Sequence, residues 1–128
     1  MSVVAVNEAV RTIHLDWAWV VIVTNGVAGV WALAAQRFEQ ARLRPLWWFT
    51  VVAELAVFVQ VVLGVILIQG RDTEPLQFHM LYGFTAAFTV AIIYSYRAQL
   101  KPHLYLLYGF GGLFLMGLAI RALEVGPA

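Results

Sequence analysis

Four long apolar segments follow one another along the chain, and short connectors between them hold most of the charged residues. The segments cover about residues 15–35, 46–68, 76–96 and 104–123. An α-helix rises about 1.5 Å per residue, so roughly 20 apolar residues cross the hydrocarbon core of a bilayer. The pattern therefore predicts four transmembrane helices.

The connectors cover residues 36–45, 69–75 and 97–102, and their shortness makes neighbouring helices antiparallel. We therefore expect an all-α integral membrane protein, folded as a four-transmembrane up-down-up-down helix bundle. Pro45, Pro75 and Pro102 stand at the predicted helix starts, where the missing N–H of proline costs no hydrogen bond. Asn7, which Glu8 follows, is the predicted N-cap of helix 1.

The composition agrees with a membrane protein and excludes several kinds of site. Of the 128 residues, 62% are hydrophobic and 12% are charged, whereas soluble domains are about half apolar and about a quarter charged. The length predicts one domain, residues 1–128. The chain has no cysteine, which excludes disulfides, zinc–thiolate sites and iron–sulfur clusters. The net charge is +1, without a basic run, so nucleic acid is not an expected partner.

Lysine and arginine predict the orientation of the bundle. The connectors between helices 1 and 2 and between helices 3 and 4 carry more cationic residues than the opposite side. Because cytoplasmic loops carry the excess of lysine and arginine, we expect a multi-pass protein of the cell membrane with both termini outside. The residues compared are Arg37, Arg42, Arg44, Arg97 and Lys101 on the inner side, and Arg11, Arg71 and Arg121 on the outer side.

Two histidines stand near the starts of helices 1 and 3. These helices are parallel and lie on a diagonal of such a bundle, so His14 and His79 should face each other near the outer surface. Neutral imidazole binds iron well, and haem is commonly held by axial histidine. Gly83, one turn after His79, leaves room for a flat macrocycle, although small residues also serve helix packing. The pair predicts a metal site in which His14 and His79 bind haem b.

Arginines lie on the same predicted side as this pair. Guanidinium groups suit carboxylates, so Arg11, Arg71 and Arg121 are candidate partners of the haem propionates. Arginines at the ends of spans are also common where no cofactor is bound. His103 follows Pro102 at the opposite end of the bundle, and we interpret it as an interfacial residue.

Among the polar residues inside the apolar segments, Glu54, Asn25 and Gln60 lie deep enough to need partners within the bundle. Glu54 is too deep to contact a haem near the outer surface. It should face the bundle interior, because an ionised carboxylate in hydrocarbon is costly. One interpretation is a proton path or a contact with quinol, and the other is a neutral acid hydrogen-bonded to Asn25, Thr24 or Tyr94. Gln60 is the predicted donor of a hydrogen bond between helices.

The segment 58–84, FVQVVLGVILIQGRDTEPLQFHMLYGF, resembles part of haem A synthase. That family has a glutamine, an LGG-type turn, a short outer loop and then a histidine that opens the next helix. The corresponding residues here are Gln60, Leu63, Gly64 and His79. The family consists of two four-helix halves, each with a histidine pair, and this chain resembles one half.

His14 occupies the place of the first histidine of such a half. The glutamate three residues before that histidine and the arginine after it are replaced by Arg11 and Leu15. The LGG turn reads LGV here, and the outer-loop cysteine pair of many members is absent. The resemblance implies a haem-binding bundle of related build, and it does not extend to oxidation of a haem methyl group.

Three functional hypotheses follow. The first is a cytochrome b-like bundle in a respiratory membrane that transfers electrons at the outer face and is not itself an enzyme. The second is an accessory or assembly subunit of a larger membrane complex that has no cofactor, and the third is a small transporter or channel that uses Glu54. The expected partners are the lipid bilayer, respiratory-complex subunits or quinol, and further copies of the chain in a homo-oligomer.

Overall fold

A computed structural model describes residues 2–69 and 77–126, and the described chain is helical throughout apart from short connections. The four long helices are α1 (Val3–Arg37), α2 (Pro45–Gln69), α3 (Gln77–Tyr96) and α4 (Leu104–Glu124). Short 3₁₀ turns precede α2 and α4, at Glu39–Ala41 and Lys101–His103. Each long helix has the length and apolar composition needed to cross a membrane, which confirms the number and the type of the predicted elements.

The start of α1 differs from the prediction. Ser2 is the N-cap, and its hydroxyl oxygen accepts a hydrogen bond of 3.1 Å from the backbone N–H of Ala5. The first helical N–H groups lack intrahelical partners, and Ser2 satisfies one of them. Asn7 therefore lies inside the helix, and its predicted role as N-cap was wrong.

The predicted prolines are placed in different ways. Pro45 is the first residue of α2, where its fixed φ suits the first turn. Pro102 lies in the 3₁₀ turn that precedes α4, a few residues before the helix begins. Pro75 falls outside the described residues.

The contacts between helices show an antiparallel order. Gln60, in the second half of α2, hydrogen-bonds to His14 in the first half of α1, whereas Ala53, earlier in α2, accepts from Asn25 in the second half of α1. His79 near the start of α3 contacts Ala122 near the end of α4. Helices α1 and α4 are also antiparallel, because Gly26 faces Met116 whereas Leu33, later in α1, faces Gly109, earlier in α4. Consequently α1 and α3 run in the same direction on one diagonal, and the bundle is up-down-up-down.

The closest packing in the described chain joins α1 to α4. A Cβ placed on Gly112 would lie 2.8 Å from the Cα of Gly29 and 2.9 Å from the carbonyl oxygen of Asn25. A Cβ on Gly29 would lie 2.8 Å from the carbonyl oxygen of Gly109. Small residues therefore bring these two backbones into contact, as in many membrane helix pairs.

Side-chain hydrogen bonds to backbone carbonyls join α1 to α2. Asn25 is almost fully buried, and its Nδ2 donates to the carbonyl oxygens of Val21, at 2.9 Å, and Ala53, at 3.1 Å. Gln60 Nε2 donates to the carbonyl oxygen of His14 at 2.8 Å, which confirms the predicted interhelical role of Gln60. These bonds, together with the one from Trp17 to the Ala56 carbonyl, fix the register of α1 against α2.

Candidate functional site

A cavity of about 510 Å³ lies at the end of the bundle that holds His14 and His79, here called the histidine end. All four helices contribute to its walls, which are mostly apolar. Its floor is formed by Val21, Val57, Ala86 and Leu118, which belong to the hydrophobic core. Pockets for small molecules and cofactors occupy about 300–1,000 Å³, so the cavity has the size of a ligand site.

Both histidines line this cavity. Their ring centroids are 5.9 Å apart, and the ring planes are nearly perpendicular, at 83°. The helices that carry them do not pack directly against each other, so the two side chains span the gap between diagonal helices. The structure thus brings His14 and His79 together across the bundle.

The orientation of the His79 ring is fixed by α4. His79 Nδ1 lies 2.8 Å from the carbonyl oxygen of Ala122. A carbonyl oxygen only accepts hydrogen bonds, so Nδ1 must carry the proton. In the neutral imidazole, Nε2 then has the lone pair, which is the arrangement common in histidines that bind metal.

The turn that carries His14 is held by α2. Gln60 donates to the His14 carbonyl oxygen, while its own Oε1 is buried and has no hydrogen-bond partner within residues 2–69 and 77–126. Gln60 also lines the cavity. A Cβ placed on Gly64 would lie 3.3 Å from His14 Cε1, so the backbone of α2 runs directly alongside this imidazole.

Small residues surround the histidine pair. A Cβ placed on Gly83 would have no heavy atom within 4 Å, and Gly83 lines the cavity. Ala18 and Ala86, one or two turns below the histidines, are buried and line it as well. Ala119 and Ala122 provide the wall on α4. Their small side chains leave space in the cavity beside the two rings.

The three arginines singled out from the sequence are placed differently. Arg11 lines the cavity one turn before His14. Arg121 is exposed, forms an ion pair of 3.0 Å with Glu124, and has its guanidinium carbon 5.9 Å from the ring centroid of Tyr82. Arg121 is not among the residues of the cavity wall, although Tyr82 is. Arg71 falls outside the described residues.

Glu54 and Asn25 do not line the cavity. One of the two interpretations of Glu54 was a hydrogen bond to Asn25, Thr24 or Tyr94, and the described residues show no such bond to Asn25 or Thr24. Asn25 uses its amide hydrogens on the Val21 and Ala53 carbonyls, and the Thr24 hydroxyl donates to the Val20 carbonyl at 2.6 Å. In the described part of the chain, no hydrogen bond joins Glu54 to Tyr94 either.

His103 lies at the opposite end of the bundle, beside a shallow apolar groove that includes Phe110 and Phe114. It is exposed, and the length of the bundle separates it from the histidine pair. This placement agrees with the prediction that His103 takes no part in the site.

Three further residues contact the imidazoles; the sequence named Gly64 only through the resemblance to haem A synthase, and it did not single out Ala122 or Gly126. Gly64 packs against His14, whereas Ala122 and Gly126 pack against His79. Their roles depend on how closely helices approach each other, which the sequence does not encode in a short motif. Gly126, just after the last apolar positions of helix 4, offers the only local signal, since glycine often follows the end of a helix.

Comparison of the chain with family models, with curated proteins and with solved structures finds no match. The functional argument therefore rests on the geometry of the cavity and its two histidines.

Proposed function

We propose that this protein is a transmembrane four-helix bundle that binds a b-type haem between His14 and His79 and transfers electrons at the histidine end. The observation that carries the proposal is the approach of these two imidazoles, with 5.9 Å between ring centroids, at a largely apolar cavity of about 510 Å³.

The spacing of the rings suits one metal ion between them. Metal–imidazole bonds are about 2 Å long, so two imidazoles on opposite sides of one ion have ring centroids roughly 6 Å apart. The Nδ1 proton of His79 leaves its Nε2 able to bind a metal. His14 and His79 would together hold the haem, and a bound haem would supply reversible one-electron chemistry.

The remaining wall residues would hold the macrocycle. Gly83, Ala119 and Ala122 provide space beside the histidines, and the apolar floor excludes water from the site. Arg11 is the candidate partner of the propionates, because it is the described arginine on the cavity wall. Arg121 is paired with Glu124 and lies outside the cavity wall, so it is a weaker candidate for the propionates than Arg11. Arg71 remains a prediction from the sequence.

The absorption spectrum of the purified protein tests the proposal. Protein expressed with haem supplied and solubilised in detergent should show a Soret band, and His14→Ala or His79→Ala should abolish it. His103→Ala is the matched control and should keep the band, since His103 is exposed at the other end of the bundle. Size-exclusion chromatography and circular dichroism would show that each variant is folded.

A colourless, well-folded wild-type protein from cells supplied with haem would contradict the proposal. That result would favour the cofactor-free accessory subunit instead.

The proposal places both termini and the histidine end on the outer side of the cell membrane. It is supported by the cationic residues at the opposite end and by the broad apolar outer faces of the helices. The chain has no cysteine, so single cysteines can report on each side. In intact cells, a membrane-impermeant maleimide should label Ser2→Cys and should label Gln40→Cys only after lysis; the reverse pattern would overturn the orientation.

A further inference from the structure

The C-terminal end of α4 has an unusual set of hydrogen bonds. The backbone N–H of Val125 donates to Arg121 at 3.1 Å, and that of Gly126 donates to Leu123 at 3.3 Å. The carbonyl of Ala122 lies between these two acceptors and receives the His79 ring instead, at 2.8 Å. The last carbonyls of a helix lack intrahelical donors, so a side chain of α3 caps the end of α4.

This cap has a chemical consequence for His79. The C-terminal end of a helix carries partial negative charge, which favours a polarised N–H or a cation placed there. An imidazole that donates Nδ1–H to a carbonyl has its tautomer and its ring orientation fixed, and its Nε2 becomes a more basic ligand. The end of α4 therefore raises the basicity of His79 Nε2, the ring nitrogen that faces away from it.

Gly126 makes the contact sterically feasible. A Cβ at this position would lie 3.0 Å from His79 Nδ1 and 3.1 Å from the Ala122 carbonyl oxygen. Both distances are tighter than ordinary van der Waals contacts, and the two atoms belong to the same hydrogen bond. A larger side chain at position 126 would therefore separate donor from acceptor.

We propose that the C-terminal end of α4 is the positioning element of His79. In this role the Ala122 carbonyl holds the ring as the Nδ1–H tautomer, and Gly126 keeps that bond intact because it has no side chain. The inference deepens the proposed function, since an anchored Nε2 is what a haem iron would bind. The tautomer itself is a property of the protein without haem and can be measured separately.

Nitrogen NMR of the haem-free protein, labelled with ¹⁵N-histidine, tests the inference. At alkaline pH, where imidazoles are neutral, His79 should be protonated on Nδ1, whereas the exposed His103 should show the Nε2–H tautomer preferred in water. Assignment comes from the His79→Ala and His103→Ala spectra. Gly126→Val should return His79 to the solution tautomer while circular dichroism remains unchanged.

Gly117→Val is the matched control on α4, because a Cβ at Gly117 would have no heavy atom within 4 Å. It should leave the His79 spectrum as in the wild type. Gly126→Ala, with a single added methyl group, should give an intermediate result.

A wild-type His79 protonated on Nε2, or a Gly126→Val spectrum identical to that of the wild type, would overturn the inference. If the tautomer is as expected and no haem binds, the proposed function fails while this inference stands. If haem binds, Gly126→Val should raise its midpoint potential, because the carbonyl that stabilises the more positive ferric state is lost. An unchanged potential would likewise count against the role of α4.

Discussion

The α1–α4 interface and the α2–α3 seam are neighbouring parts of one bundle, and they are packed in opposite ways. The seam is the face between α2 and α3, where Val65 and Ile68 of α2 and Met80 and Phe84 of α3 line the cavity. At the α1–α4 interface, Gly112 and Gly29 bring two backbones into contact. At the seam the helices make the fewest contacts of any neighbouring pair in the described chain, and the cavity occupies the space between them.

Glycine occurs in both regions, but its effect depends on which atoms of the neighbouring helix face it. A Cβ on Gly112 would meet backbone atoms that cannot move independently of their helix. A Cβ on Gly83 would meet nothing within 4 Å. The same residue type therefore closes one interface and leaves the other open, so a small-residue pattern alone does not separate close packing from a ligand cavity.

The strongest test of the contrast is Gly112→Val at the closed interface. The added side chain must push α1 away, and overpacking of this kind costs about 1–3 kcal/mol or more. We expect a large fall in thermal stability in detergent, with much of the protein aggregated. Gly117→Val, on the same helix, should change the melting temperature little. Equal melting temperatures for the two variants would show that the α1–α4 contact is looser than the structure indicates.

Gly83→Leu tests the open region. Its side chain should enter the cavity without displacing the helices, so circular dichroism and thermal stability should stay close to the wild type. Haem binding should weaken by about tenfold or more, because overfilling a packed site costs about 1–3 kcal/mol. The measurement is a haem titration followed by absorption. Phe88→Leu, an exposed position on the same helix, is the control, and equal affinities for the two variants would place the haem elsewhere.

Trp17→Phe should have the smallest effect of the three. It removes the 2.8 Å hydrogen bond from Trp17 Nε1 to the Ala56 carbonyl, which helps to fix α1 against α2. A typical hydrogen bond contributes about 1 kcal/mol, so unfolding in denaturant should show a modest destabilisation. Trp19→Phe, at a side chain that is 58% exposed, should show less. If Trp19→Phe destabilised the protein as much as Trp17→Phe, the hydrogen bond of Trp17 would not be what fixes the register of α1 against α2.

The main features of the fold could be predicted from the sequence because they depend on length and periodicity. Four apolar segments with short connectors leave few arrangements, and in the simplest of these His14 and His79 share a diagonal. The start of α1 was missed because Ser2 and Asn7 are both good N-caps, and only the contacts of the folded helix decide between them.

The polar contacts were harder to predict. Asn25 was one of three candidate partners of Glu54, but its amide binds backbone carbonyls on two helices. The contacts of Gly64 and Gly126 with the imidazoles depend on ångström-scale distances between helices. Such distances follow from the packing of the whole bundle, and no short sequence pattern carries them.

The end of the bundle opposite the histidines is stabilised by contacts that are local in sequence. Trp31 Nε1 donates to the carbonyl of Ala41 at 2.9 Å, and Arg42 Nε donates to that of Ala35 at 2.6 Å. Partners only seven to ten residues apart can meet early, before distant helices pack. During synthesis, the end of α1 can thus be capped as soon as residue 42 has emerged, so the Arg42 side chain is already fixed in place before α2 is complete.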